Sequence, residues 1–242
     1  MKVDICFTPA LYPYYSQDGE NKIVVVVDIF RATTTMCAAL NNGGARSIIP
    51  VASIEEAQDY KAKGFLVGGA ERNVKRCDFA DFGNSPFDYT EDKVSGKDVV
   101  FTTTNGTQAI EMANDAEILI IGAFSNIDAV ADFCFEKQKD VIVLCAGWNN
   151  RFNIEDSLYG GALARRLIDR GYTSASDATQ VALSMWNEAK ADVRKYINRT
   201  EHIKRLEANN LQDSVEYCLT EDTVNIVPVY NKQIKRLVIW NS

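Results

Sequence analysis

The stretch that most constrains this chain is Val24-Val25-Val26-Val27-Asp28-Ile29-Phe30-Arg31-Ala32-Thr33-Thr34-Thr35. Four valines in a row, with no polar alternation, suit a strand covered on both faces, as in a parallel sheet. The run stops at a carboxylate, and an arginine and three threonines then lead into an apolar helix from Met36 to Leu40. In open α/β sheets ligands bind beyond the carboxyl ends of the strands. A helix beginning there turns unpaired N–H groups toward the crevice. Asp28 and Arg31 are thereby expected at the mouth of a site that holds a cation and an anion together.

The same strand–turn–helix rhythm recurs. Strands are expected at Val3–Phe7, Ile23–Asp28, Ser47–Pro50, Phe65–Gly69, Asp98–Thr102, Ile118–Gly122 and Val141–Cys145. Helices are expected to start near Thr33, Ile54, Gly106, Asn126 and Ile154, and Ser53 with Glu56 has the form of a capping box. This alternation predicts an α/β fold with three α/β/α layers around a largely parallel or mixed sheet. Residues 177–219 are polar and helical in pattern, with Met185, Trp186, Ala189 and Val193 at helical spacing. Val224–Val229 and Ile234–Trp240 then read as a C-terminal hairpin. No Pro- or Gly-rich linker interrupts the chain, so residues 1–242 are expected to form a single domain.

Composition narrows the function classes. A net charge of -7 with no basic stretch argues against nucleic acid as a partner. No apolar run reaches the ~20 residues of a membrane span. Met1 to Thr8 lacks the long apolar segment of a secretory signal, so the cytoplasm is the expected location. The six cysteines are scattered without a C-x-x-C pair, and most are expected to be reduced core residues. A homo-oligomer is the default expectation, with Ile234 to Trp240 packing internally or pairing at a sheet edge.

Four more loops follow apolar strands: Gly68-Gly69-Ala70-Glu71-Arg72, Phe82-Gly83-Asn84-Ser85-Pro86, Thr102-Thr103-Thr104-Asn105-Gly106-Thr107, and Cys145 through Asp156. Each has an ordinary explanation. Gly-Gly is commonly just a turn, Thr-Thr-Thr suits a strand followed by a helix cap, and Glu155 and Asp156 complement a helix dipole. Their recurrence at the same end of successive strands is what points to a site.

These motifs, in this order over roughly residues 23 to 170, resemble the 2-phosphosulfolactate phosphatase family. The resemblance rests on Asp28-Ile-Phe-Arg-Ala-Thr-Thr-Thr, Gly68-Gly-Ala-Glu-Arg72, Gly83-Asn-Ser-Pro86, Thr102-Thr-Thr-Asn-Gly-Thr107, Cys145-Ala-Gly147 and Phe152-Asn-Ile-Glu-Asp156. It implies a magnesium-dependent phosphatase that converts 2-phospho-3-sulfolactate to 3-sulfolactate and phosphate. In methanogens that step belongs to coenzyme M biosynthesis. The chain departs from the family pattern at Ala70, Phe79, Ala80, Asn150 and Asn153; asparagine at 150 tolerates a left-handed turn.

The residues support a charge-balance hypothesis. Asp28, Glu71, Glu155 and Asp156 gathered around a phosphate ester would repel it, at ~4 kcal/mol per like pair 4 Å apart for a dielectric near 20. A divalent cation reverses the sign, and oxygen-only ligands suit Mg2+; these four carboxylates are the expected metal ligands. Asp28, Arg31, Glu71 and Glu155 are the expected catalytic residues. Arg72, Asn84, Ser85, Thr103, Thr104, Asn105 and Gly106 are expected to bind the small anionic phosphate-ester substrate. The lone histidine, His202, reads as an ordinary residue of the helical section. The nucleophile stays open among Asp28, an activated water and Cys145. Haloacid-dehalogenase phosphatases require a second aspartate two residues after the first, where this chain has Phe30. Alternatives are a phosphatase for another phosphorylated hydroxy-acid, and a non-catalytic binder of small phosphorylated or sulfonated acids.

Overall fold

The computed structural model describes residues 1–15, 21–72, 75–174 and 176–241, with the side chains of Arg72 and Lys75 outside that description. Its strands are β1 (Lys2–Cys6), β2 (Lys22–Val27), β3 (Ser47–Val51), β4 (Leu66–Gly68), β5 (Glu71–Arg72), β6 (Lys75–Arg76), β7 (Asp98–Thr102), β8 (Ile118–Gly122), β9 (Asp140–Cys145), β10 (Thr173–Ser174), β11 (Pro228–Asn231) and β12 (Arg236–Ile239). Ten form one sheet in the order β10-β1-β9-β2-β8-β11-β12-β3-β7-β4, and β5 and β6 make a separate ribbon. The fold is α/β, as the alternating pattern predicts.

The valine run of β2 lies between two parallel partners, β8 and β9. Ile23 through Val27 are all buried, which is why no polar residue interrupts them. The sheet consists of two parallel blocks, β10-β1-β9-β2-β8 and β3-β7-β4, joined by the antiparallel hairpin β11–β12. The C-terminal hairpin therefore packs inside the sheet, not at its edge. It meets β8 at Val229↔Ile120 and β3 at Leu237↔Ile48. Both contacts are antiparallel, so the two blocks run in opposite senses.

In a flat sheet, opposite senses would send the strand ends to opposite edges. Here the sheet brings both sets of strand ends to one cavity. Its inner faces, Val24, Val26, Leu119 and Ile121 from one block and Ile48, Val99 and Phe101 from the other, share one core with the Ala32–Asn41 and Gly106–Met112 helices. The outer face of the first block packs against the Ile127–Lys137, Ile154–Asp169 and Asp177–Ala189 helices. The second block packs against the Ile54–Ala62 helix, whose cap Ser53 accepts from the Glu56 amide at 3.1 Å.

Residues 177–219 form four helices, as their pattern predicts. The last two residues of the Val224–Val229 run join β11, while Val224 donates its N–H to the Ser125 carbonyl at 2.9 Å. All six cysteines are free, and all but Cys77 are buried. Among the described residues no helix is long and apolar enough to cross a membrane.

Candidate active site

Beyond β2 the chain turns through Ile29 to Arg31, with a cis Phe30–Arg31 peptide, into the Ala32–Asn41 helix. Thr33 closes the turn: its hydroxyl donates to the Asp28 carbonyl and accepts from the Asp28 amide, both at 3.0 Å. The carboxylate of Asp28 is left facing a cavity that Arg31, Glu71, Asn84 and Thr103 to Asn105 also line. Burial lifts its pKa to about 6, opposed by the charge of His202 and the amides of Ala32 and Gly106 and assisted by Glu155.

Arg31 is only 2 % exposed, and its Nη2 lies 2.8 Å from Oε2 of Glu71. The second oxygen of Glu71 accepts from the Asn84 amide at 2.6 Å. Glu71 was expected to ligate metal and Arg31 to bind phosphate; each is first the other's partner. Burial still raises the pKa of Glu71 despite the guanidinium beside it. The side-chain oxygen of Asn84 is buried without a hydrogen-bond partner while the residue lines the cavity. Ser85 stands apart from that lining and caps the Pro86–Asp88 turn, accepting from Phe87 at 3.4 Å. Arg72 lies on β5, and its side chain is outside the described residues.

The threonine loop ties itself together. Thr107 donates its amide to Thr103 Oγ1 at 3.1 Å and its hydroxyl to the Thr103 carbonyl at 2.8 Å. Asn105 Oδ1 accepts from the Asn149 amide at 3.1 Å, linking this loop to the one after β9. That second loop needs left-handed backbone at Gly147, φ 62°, and at Asn149 and Asn150. A Cβ on Gly147 would sit 2.3 Å from the Arg151 carbonyl oxygen, so no other residue fits.

Asp156 is a strut of this scaffold. One oxygen accepts from the Ile29 amide at 2.8 Å, the other from the Gly147 amide at 3.1 Å and Asn153 Nδ2 at 2.9 Å. It is fully buried and absent from the cavity lining, with its pKa pushed well up by burial and by Asp28 and Glu155. Its two ends brace the loops after β2 and β9, and both of its oxygens, expected as metal ligands, are engaged by protein donors. Cys145 is likewise buried, its thiol pushed far up by burial and then by Asp156, and belongs to the core.

His202 was absent from the expected site residues, yet the structure places it there. It belongs to the Glu201–Ala208 helix and lines the Asp28 cavity, with Nδ1 2.6 Å from Oε1 of Glu155. Its ring packs edge-on to Phe30 at 5.6 Å and lies 5.8 Å from Trp148. Arg205, one turn further on, stacks over Trp148 at 4.2 Å. Neither Arg205 nor Trp148 stood out in the sequence. The available signal was the spacing of His202, Arg205 and Leu206 at i, i+3 and i+4, which places all three on one face of a helix.

Of the four carboxylates expected as candidate metal ligands, three already have protein partners. Among the described residues no three His, Cys, Asp or Glu side chains gather as a metal-ligating group. Glu155 is bound by His202, Glu71 by Arg31, and Asp156 by backbone amides. A smaller donor set does fit a hard cation: the Asp28 carboxylate, with the buried, unpartnered amide oxygens of Asn84 and Asn153 on the same cavity. Magnesium typically takes one or two carboxylates and fills the rest with water and substrate phosphate.

A family model described as 2-phosphosulpholactate phosphatase matches residues 6–233. A Thermotoga maritima protein named probable 2-phosphosulfolactate phosphatase is 39% identical over 209 residues, covering 86% of this chain and 89% of its own length. Proteins of the same name from Clostridium novyi and Clostridium acetobutylicum are 35% and 37% identical over 234 and 216 residues. The first covers 96% of this chain and 97% of itself, the second 87% and 90%.

Proposed function

The chain belongs to the 2-phosphosulfolactate phosphatase family, and from that premise we propose that it hydrolyses 2-phospho-3-sulfolactate to 3-sulfolactate and phosphate at the Asp28 cavity. The observation that carries this reading is the convergence of the Asp28 carboxylate, the buried Arg31 guanidinium paired to Glu71, and the Thr103–Asn105 loop on a single cavity.

Asp28 supplies the attacking carboxylate oxygen. With a pKa of about 6 it is largely ionised at neutral pH, and the Ala32 amide, 3.4 Å from Oδ1, helps hold it in place. Arg31 spends Nη2 on Glu71 and has guanidinium donors left for phosphoryl oxygens. Thr104 and Asn105 line the wall beside the start of the Gly106–Met112 helix, where anions are favoured. Arg205, stacked on Trp148, meets the second anionic group of the substrate. Magnesium would be held by Asp28 with Asn84 and Asn153, and supplies neutralisation of phosphoryl charge when bound.

Phosphate release from a panel of phosphorylated hydroxy-acids, with EDTA and with added Mg2+, tests this reading. The expected result is turnover of the sulfonated ester that chelation suppresses and magnesium restores. Saturable binding without phosphate release would instead mark a binding protein. Preference for a carboxylate or phosphate in place of the sulfonate would reassign the substrate.

A further inference from the structure

The hydrolase reading leaves one chemical need unmet. The leaving group is a secondary alkoxide, which departs poorly unless protonated as the P–O bond breaks. The sequence position where an acid would be expected beside a nucleophilic aspartate, two residues on, is Phe30. The structure puts another group against that ring: His202, edge-on at 5.6 Å.

We propose that His202, oriented by Glu155, is the proton donor to the leaving alcohol and then the base that activates the hydrolytic water; this rests on the reading of Asp28 as nucleophile. Three observations carry it. His202 and Asp28 line one cavity. Nδ1 is occupied by Oε1 of Glu155 at 2.6 Å, so Nε2 is the ring nitrogen left without a protein partner among the described residues. Glu155 is 1 % exposed and has no other hydrogen-bonding role among the described residues, so this buried carboxylate serves to fix the ring's orientation and steady it when doubly protonated.

The steps balance. An Asp28 oxygen forms a bond to phosphorus, the bond from phosphorus to the sulfolactate oxygen breaks, and that oxygen keeps the electron pair and takes the Nε2 proton. Water then attacks phosphorus and gives its proton to Nε2, and the Asp28–phosphorus bond breaks with its electron pair returning to the carboxylate. His202 ends as it began. His202 is the catalytic residue and Glu155 its positioning residue.

The test compares the wild-type protein, His202→Gln and Glu155→Gln on 2-phospho-3-sulfolactate and on 4-nitrophenyl phosphate, whose phenolate leaves without protonation. Removing general acid catalysis costs about 100-fold or more. His202→Gln should lose that factor in kcat on the alkyl ester with KM unchanged. On the aryl ester it should give a burst of one 4-nitrophenolate per site, then slow turnover as phosphoenzyme accumulates. Glu155→Gln, which can still accept a hydrogen bond, should show the same pattern more weakly. A burst phase on the aryl ester slowed as much as the first step on the alkyl ester, or no burst, would overturn the assignment. A wild-type protein that releases phosphate from neither ester would remove the hydrolase reading itself.

Discussion

At the scale of single residues, the site places its most important carboxylate where it is least stable. Asp28 has a pKa of about 6 in the folded protein against an ordinary 3.8. A carboxyl whose folded pKa is raised binds its proton more tightly folded than unfolded. Stability therefore falls as pH rises between about 4 and 6, and the cost, about 3 kcal/mol at 1.36 kcal/mol per unit, is fully present at neutral pH. His202, Glu155 and Asp156 face this group or couple to it, the first opposing the rise and the other two opposing ionisation. Asp28→Asn should abolish turnover and raise the melting temperature at pH 7, with the gain vanishing below about pH 4. Paired activity and thermal-denaturation measurements across pH check this. A variant that keeps near-normal kcat would exclude Asp28 as the nucleophile. Wild-type kcat should fall below about pH 6 as the nucleophile takes up its proton.

At the scale of elements, the Ile154–Asp169 helix does two jobs from consecutive residues. Glu155 faces His202 and Asp156 braces the loops after β2 and β9. Its position depends on close contact with the Asp177–Ala189 helix: a Cβ on Gly161 would lie 2.1 Å from the Ala182 carbonyl oxygen and 2.9 Å from Trp186 Cβ. Gly161→Ala should therefore cost about 2 kcal/mol in urea denaturation, since backbone cannot yield as a side-chain tip can. It should also lower kcat, because the helix that moves carries Glu155. Unchanged stability would mean the two helices are free to separate. The start of this helix was legible in the sequence, and so was the loop before it. The separate tasks of its two carboxylates were not, because their partners lie up to 127 residues away in the chain.

Across the whole molecule, the cavity is assembled from both parallel blocks. Asp28 and the Gly147–Asn153 loop follow β2 and β9 of the first; Glu71 and Thr103 to Asn105 follow β4 and β7 of the second. The hairpin β11–β12 joins the blocks, with fully buried Leu237 opposite Ile48. Leu237→Ala should cost about 2–5 kcal/mol and depress activity more than a substitution of equal cost in the outer helical layer, because the two halves of the site lose their common brace. Denaturant midpoints alongside kcat/KM for such a matched pair provide the check. Charge supports the same joint: Asp98 at the start of β7 accepts from Arg46, Ser47 and from Arg236 of β12, which hold its carboxyl well below the usual range.

What the amino-acid order determined by itself was whatever depends on neighbours along the chain. Burial on both sides of β2 follows from four successive valines, the helices follow their caps and spacing, and the polar loops at the strand ends announce a site. Tertiary structure alone decided which side chains meet. It paired Arg31 with Glu71, withdrew Asp156 into the scaffold, placed the hairpin between the blocks, and brought His202 from a polar helix to the Asp28 cavity. Those outcomes depend on contacts between segments 40 to 189 residues apart, which no local pattern encodes. A lone histidine carries no periodicity to announce it; only the buried carboxylate against its ring reveals its place.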